Sequence, residues 1–237
     1  MSVLNVGDGI EVENAAWSFG GSTPSMFDEH VRRSIPDYEL AHEIALDLSD
    51  FFVRKNSFCY ELGSSTGTLT RKLSARHNGY GNWVGIDIEE AMIQQANMQK
   101  PTMDNLSFEL ADITNYPFKP ADFIVAFYTI QFIKPQHRQE LMNKIYTSLN
   151  WGGCFLMFEK VRAPDARFQD ITTALYTEFK LRNGYHPSEI ISKSKSLKGI
   201  LEPFSSNGNL DMLRRAGFVD IMTVYKRINF EGFFCIK

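Results

Sequence analysis

"CYELGSSTGTLTRKL", residues 59–73, is the stretch on which the fold turns. An apolar run ends on the acid Glu61, Gly63 and Gly67 punctuate the loop that follows, and Leu69 and Leu73 repeat at helical spacing. Strand, glycine turn and helix in immediate succession form the repeating unit of a doubly wound α/β sheet. Ser64, Ser65 and Thr66 stand between the glycines, so the G-x-x-x-G spacing matches neither the dinucleotide fingerprint nor a P-loop, whose Lys-Ser/Thr pair is missing. Taken alone, the loop reads equally well as an ordinary strand-to-helix turn.

Outward from this stretch the rhythm continues. "NWVGIDI" (82–88), "LSFEL" (106–110), "ADFIVAFYT" (121–129) and "CFLMFEK" (154–160) read as strands. The run 121–129 is nearly all apolar, as a strand covered on both faces should be. A helix carrying Met92 and Ala96 follows the second strand. Residues 136–149 place Leu141, Ile145 and Leu149 on one helical stripe, closed by Asn150-Trp151-Gly152-Gly153. "VDIMTVYKR" (219–227) and "NFEGFFCIK" (229–237) are joined too tightly for a crossover helix and pair antiparallel. The expected fold is α/β: a doubly wound, mostly parallel seven-stranded, Rossmann-like sheet with an antiparallel last strand. Residues 1–55 form an N-terminal cap ending in a helix over about 37–53. Residues 56–237 form the main domain, interrupted at about 164–204 by a helical insert.

The 237 residues are 43% hydrophobic and 22% charged, ordinary globular values, with a net charge of −3. That balance argues against a protein that grips long nucleic acid. No apolar run approaches the length of a membrane span and no signal region opens the chain, so the expectation is a cytoplasmic protein without a membrane partner. Cys59, Cys154 and Cys235 lie in strand-like runs with no C-x-x-C spacing, which reads as reduced core thiols.

In a doubly wound sheet, ligands bind beyond the carboxyl ends of the strands, so the residues after each strand carry the chemistry. Asp87 ends the second strand, where a carboxylate can accept both ribose hydroxyl hydrogens; the plain alternative is a helix N-cap, since Glu89 and Glu90 follow. Ala111-Asp112-Ile113 follows the third, an acid that can accept from an adenine amino group beside a side chain that can pack on the ring; the alternative is a turn aspartate. The order acid–glycine loop, acid, Asp–apolar points to a nucleoside held without a phosphate cradle.

With these residues in place the chain resembles the carboxy-S-adenosylmethionine synthase family, a branch of the class I S-adenosylmethionine (SAM) methyltransferases linked to tRNA wobble-uridine modification. The resemblance runs from Trp17 through "RRSIPDY" (32–38), "YELGSSTG" (60–67), "GIDIEEAMI" (85–93), "ADI" (111–113), "YTIQFI" (128–133), "KIYTSLNWGG" (144–153), "EK" (159–160), "FKLRNGY" (179–185) and "LRRAGF" (213–218). It implies SAM as cofactor, with S-adenosylhomocysteine as the product of methyl transfer. It implies that Tyr38 closes over SAM, that Gly63 and Ser65 line its methionine side, that Asp87 and Ile88 hold the ribose, and that Asp112 and Ile113 hold the adenine, with Glu61 and Phe127 as further cofactor-binding candidates. Two positions depart from the family: Phe127 stands where it has asparagine, and Met212 falls in the register of an arginine that pairs with the extra carboxylate on the sulfonium. Arg214 and Arg215 lie nearby in sequence.

A methionine cannot replace that cation, so the leading expectation is a SAM-dependent methyltransferase acting on a small-molecule acceptor. The alternatives are a carboxy-SAM synthase using SAM and prephenate, and a non-catalytic SAM-binding protein. Tyr128, Glu159 and His186 are the candidates for a catalytic proton carrier, with Tyr185 beside them. His186 precedes Pro187 and reads more readily as an exposed loop residue; Glu159-Lys160 reads also as a surface pair or an orienting ion pair. Trp17, Phe19, Phe27, Phe127 and Tyr128 are candidates for an apolar acceptor wall or for cap packing. "KSKSLK" (193–198) reads as a solvated basic face. The resemblance also implies a homodimer, which is expected to use the 164–204 insert.

Overall fold

A computed structural model describes residues 4–6, 11–12, 19, 23–101 and 103–237. Trp17, within the expected cap, lies outside them. Seven strands form the sheet: β1 (Phe58–Leu62), β2 (Asn82–Asp87), β3 (Leu106–Leu110), β4 (Ala121–Phe127), β5 (Leu149–Lys160), β6 (Asp220–Arg227) and β7 (Phe230–Ile236). Their order across the sheet is β3-β2-β1-β4-β5-β7-β6. All pairs from β3 to β5 are parallel, and β7 runs antiparallel to both its neighbours. The chain winds outward from β1 to β3 and returns to β4 on the other side of β1. That reversal opens a crevice above the carboxyl ends of β1 and β4.

The central strands are buried on both faces, and alternation divides their side chains between two cores. Phe123 and Val125 of β4 pack with Leu69 and Leu73 of α3 (Thr68–Arg76) and with Ala41 and Ala45 of α2 (Tyr38–Ser49). Ile124 and Ala126 face the other way, against Leu141 and Ile145 of α5 (Pro135–Ser148) and Leu213 of α8 (Ser206–Ala216). Each fully buried side chain of this kind contributes on the order of 2 kcal/mol. The three cysteines are free and buried.

Among the described residues the cap contains two helices, α1 (Thr23–Ser34) and α2, the second shorter than the 37–53 read from sequence. Asp28 on α1 accepts from Thr66 Oγ1 at 2.8 Å, tying that helix to the glycine loop. After β2 comes α4 (Glu90–Met98), and after β5 come α6 (Ala166–Arg182) and α7 (Pro187–Ser196); helix ends at Ser196, and the last residues of the expected 164–204 helical insert are a turn and irregular chain. Strand β5 begins at Leu149, so Asn150-Trp151-Gly152-Gly153 lies inside a strand rather than ending a helix. The cause is non-local: Gly152 N donates to Lys237 O at 2.7 Å and Lys237 N to Gly153 O at 3.0 Å. Strand β4 ends at Phe127 because Tyr128 turns into the left-handed region, φ 59°.

Candidate functional site

A cavity of about 740 Å³ lies above the carboxyl ends of β1, β2, β4 and β5 and is roofed by α1, α6 and α7. The glycine loop forms one wall. Gly63 N and Ser64 N both donate to Ile86 O, at 2.8 and 2.9 Å, Gly67 N donates to Ser64 O at 2.8 Å, and Ser65 N donates to Asp87 Oδ2 at 2.8 Å. These amides are spent within the chain, so the loop is no phosphate cradle. Gly63 sits at φ 71°, and a Cβ there would come within 2.4 Å of Thr129 Oγ1; only glycine lets the two strand tips approach. Ser65 adopts φ 49°, a strained conformation for a residue with a side chain, held by its bond to Asp87.

Asp87, buried at the tip of β2, also accepts from Glu89 N at 2.9 Å, and burial raises its carboxyl above the usual carboxylate range. Each oxygen keeps acceptor capacity for a ribose hydroxyl. Ile88 beside it is 65% exposed and lines the cavity. Asp112 Oδ1 accepts from Thr114 N at 2.9 Å and Thr114 Oγ1 at 2.7 Å, the turn anticipated for it, while buried Ile113 faces the cavity. Tyr38, the first residue of α2, packs edge-on against Phe127 with ring centroids 5.4 Å apart. Glu61 is buried, accepts from Thr70 Oγ1, and is pushed up to about 8 by burial.

Of the three proton-carrier candidates, only Tyr128 lines the cavity. Its hydroxyl is buried without a hydrogen-bond partner, as are Ser64 Oγ and Asn229 Oδ1 in the same walls. Buried polar atoms left unpaired are costly, and their gathering in one cavity fits a polar ligand there. Glu159 lies below the cavity floor, where its carboxylate accepts from Ile130 N at 3.0 Å; burial raises it to about 8. The alternative reading of Glu159 and Lys160 as an ion pair does not hold, because strand alternation sends the two side chains to opposite faces and only Lys160 lines the cavity. His186 is not in the walls: it is the N-cap of α7, in a reciprocal capping box with Glu189. Tyr185 is buried beside His30 of α1, 3.2 Å from its Nδ1. Phe19 and Phe27 do line the cavity.

Met212 is 1% exposed in the core under α8 and absent from the walls, so its register says nothing about a carboxylate on the ligand. Arg214 and Arg215 do not reach the cavity either; they bond Asp211 and Gln139. The cations at the cavity come from elsewhere. Lys160 ends β5, Arg162 follows it, Lys180 lies on α6, and Lys193 and Lys198 come from the stretch read as a solvated face. Sequence reasoning missed Lys180 and Tyr176 as wall residues, and it missed buried Arg138. That guanidinium donates to the carbonyls of Ile133, Glu202 and Gln131 at 2.7, 2.7 and 2.9 Å, locking the turn after β4 to the segment before α8.

Comparison with known proteins agrees with this geometry. A methyltransferase-domain profile matches residues 60–153. The magnesium protoporphyrin IX methyltransferase of Synechocystis, solved with S-adenosylhomocysteine, superposes with a TM-score of 0.58 at 10% identity, covering 93% of this chain and 89% of that one. Human N-acetylserotonin methyltransferase, solved with SAM, gives 0.57 at 16% identity, over 93% of this chain and 60% of that one. These likenesses establish the fold. The carboxy-S-adenosyl-L-methionine synthase of Staphylococcus epidermidis is 36% identical over 222 residues, 93% of this chain and 97% of that protein. The chain therefore belongs to the carboxy-S-adenosyl-L-methionine synthase family, a SAM-dependent branch of the class I methyltransferases.

Proposed function

We propose that this enzyme makes carboxy-SAM from SAM and a carboxylate-bearing acid such as prephenate. One observation carries the reading: the cavity is divided by charge. Glu61, Asp87 and Asp112 occupy the β1–β3 end, while Lys160, Arg162, Lys180, Lys193 and Lys198 occupy the β5–α7 end. The acidic end suits ribose hydroxyls, an adenine amino group and a sulfonium; the basic end suits an organic acid. Met212 argues for methyl transfer to a small acceptor only if it faces the ligand, and it lies in the core.

Bound SAM supplies an electron-poor methyl carbon. In the net reaction one C–H bond of that methyl is replaced by a C–C bond to the carbon the acid loses as carbon dioxide. The acid also loses hydroxide, which leaves as water with the methyl proton, so no protein base is consumed. The residues serve by positioning and by excluding water. Asp87 and Ile88 fix the ribose, Asp112 and Ile113 the adenine, and Gly63, Ser65 and Glu61 the methionine side. Tyr38, Phe127 and Tyr128 form an apolar wall beside the sulfonium. That wall also replaces water around a reactive carbon, a use for Phe127 that an asparagine would not serve.

The test is incubation with SAM and prephenate followed by mass spectrometry of the nucleoside. The expected product is heavier than SAM by one carbon dioxide, with phenylpyruvate released. S-adenosylhomocysteine formed with an added small acceptor, and no carboxylated nucleoside, would return the protein to methyl transfer; SAM bound but unchanged would leave it a binding protein. The exposed side of α6 supports a homodimer through the insert, since Phe168, Ile171 and Leu175 stand there in solvent. The charge balance supports small-molecule partners rather than long nucleic acid. Among the described residues no helix is long and apolar enough to cross a membrane.

A further inference from the structure

Two ammonium groups in the basic end of the cavity have an unusual setting. Lys160 Nζ and Lys180 Nζ each lie 4.5 Å from the centroid of one ring, that of Tyr176. Lys180 is 8% exposed, and both lysines line the cavity. Neither has a carboxylate or hydrogen-bonding partner for its ammonium among the described residues. The ring they share is fixed: the Tyr176 hydroxyl donates to Ser34 O at 2.8 Å, tying α6 to the end of α1. A buried cation without a counter-ion is normally eliminated or paired, because desolvating a charge costs more than a ring face returns. The charged groups acting on Lys160 are further lysines, 180 and 198, which add repulsion to burial and lower its ammonium to about 8; burial lowers Lys180 to about 8 as well.

Position separates this pair from the nucleoside. With the ribose held on β2 and the adenine beyond β3, the sulfonium lies toward β1 and β4. The tip of β5 is three strand spacings from that of β2, roughly 14 Å. We propose that Lys160 and Lys180, set against the ring of Tyr176, form the seat for the carboxylate groups of the second substrate, a small organic acid. This rests on the carboxy-SAM synthase reading for the identity of the acid, not for the existence of the seat. The ring offers such an acid an aromatic group beside the cations, which favours a planar or ring-bearing carbon frame over a plain inorganic anion.

The test uses the full chain saturated with S-adenosylhomocysteine, which has no methyl group to react, titrated with prephenate in a calorimeter. The expected result is saturable binding that weakens at least 10-fold in Lys160→Met and in Lys180→Met and is lost in the double variant. Affinity for SAM alone should change less than 3-fold in all three. An equal loss of SAM affinity would mean that the lysines hold the methionine carboxylate and would overturn the seat. So would prephenate binding that survives in the double variant, or no heat from the wild type. Thermal melting guards against misfolding: removing unpaired buried charges should leave the melting temperature unchanged or raise it. A wild type that binds prephenate through these lysines yet makes no carboxylated nucleoside sinks the proposed reaction and leaves the seat standing.

Discussion

Asp87 does two jobs at once, and that makes it the most informative single position. Its two oxygens hold Ser65 N and Glu89 N, so the carboxylate both shapes the glycine loop and offers its remaining acceptor sites upward. Asp87→Asn turns one oxygen into a donor facing a backbone donor. The expected effect is SAM affinity weakened by about 10- to 100-fold, roughly 1.4–3 kcal/mol, read by calorimetry. Asp112→Asn should cost less, because Oδ1 can keep Thr114 while the amide replaces Oδ2, which meets only Asn115 at 3.5 Å. Unchanged affinity in Asp87→Asn would remove the ribose from β2 and with it the orientation used here. Both aspartates were legible in the sequence because a strand tip is marked by the end of an apolar run. Lys180 and Tyr176 were not, since nothing in a 17-residue helix says which face a distant strand will meet.

Helix α6 carries the corresponding question at the scale of an element. Of its residues only Lys180 is buried, and Phe168, Ile171 and Leu175 repeat on its outer side at 56%, 53% and 43% exposure. If that stripe is the homodimer surface, light scattering should give twice the chain's 27.1 kDa, and Ile171→Glu with Leu175→Glu should give the monomer while SAM binding persists. A wild-type monomer at tens of micromolar would discard the dimer. Elements were legible where their causes are local. The alternation of apolar runs with helical stripes marked all seven strands, and Gly217, at φ 118°, closes α8 where the sequence ends it. The early start of β5 escaped because its pairing partners, Ala121 for Leu149 and Lys237 for Gly152 and Gly153, are distant in sequence. Met212 was misjudged for the same kind of reason. The stripe that turns Met212 and Leu213 into the core is set by α5 and the sheet, and a register against relatives does not reveal it.

Over the whole molecule, the ligand-free cavity places ionisable groups where their charges are poorly tolerated, and stability must carry the signature. Glu61 and Glu159 are raised from 4.5 to about 8, so each stabilises the fold below 4.5 and loses that contribution as pH climbs to 8. Lys160 and Lys180 are lowered from 10.5 to about 8, so each stabilises the fold above 10.5 and loses that contribution as pH falls to 8. His42, lowered to about 3 by burial, opposes the carboxyls only up to 6.5. Above 9 the buried thiols of Cys59, Cys154 and Cys235, all raised, turn stability down again. The clean window is therefore pH 6.5–9. Calorimetric melting of the empty protein should fall from 6.5 to a minimum near 8 and recover by 9, each group changing the slope by at most about 1.4 kcal/mol per pH unit. Glu61→Gln should make the fall shallower, and the Lys160→Met, Lys180→Met pair should remove the recovery. Saturating SAM and prephenate together should make the dip shallower, because a sulfonium beside Glu61 and carboxylates beside Lys160 and Lys180 supply counter-charges, while Glu159 beneath the floor keeps its share of the fall. A wild-type profile that is flat or rising between 6.5 and 8 would mean that Glu61, in the wall of the unfilled cavity, and Glu159, beneath its floor, are not held protonated by burial.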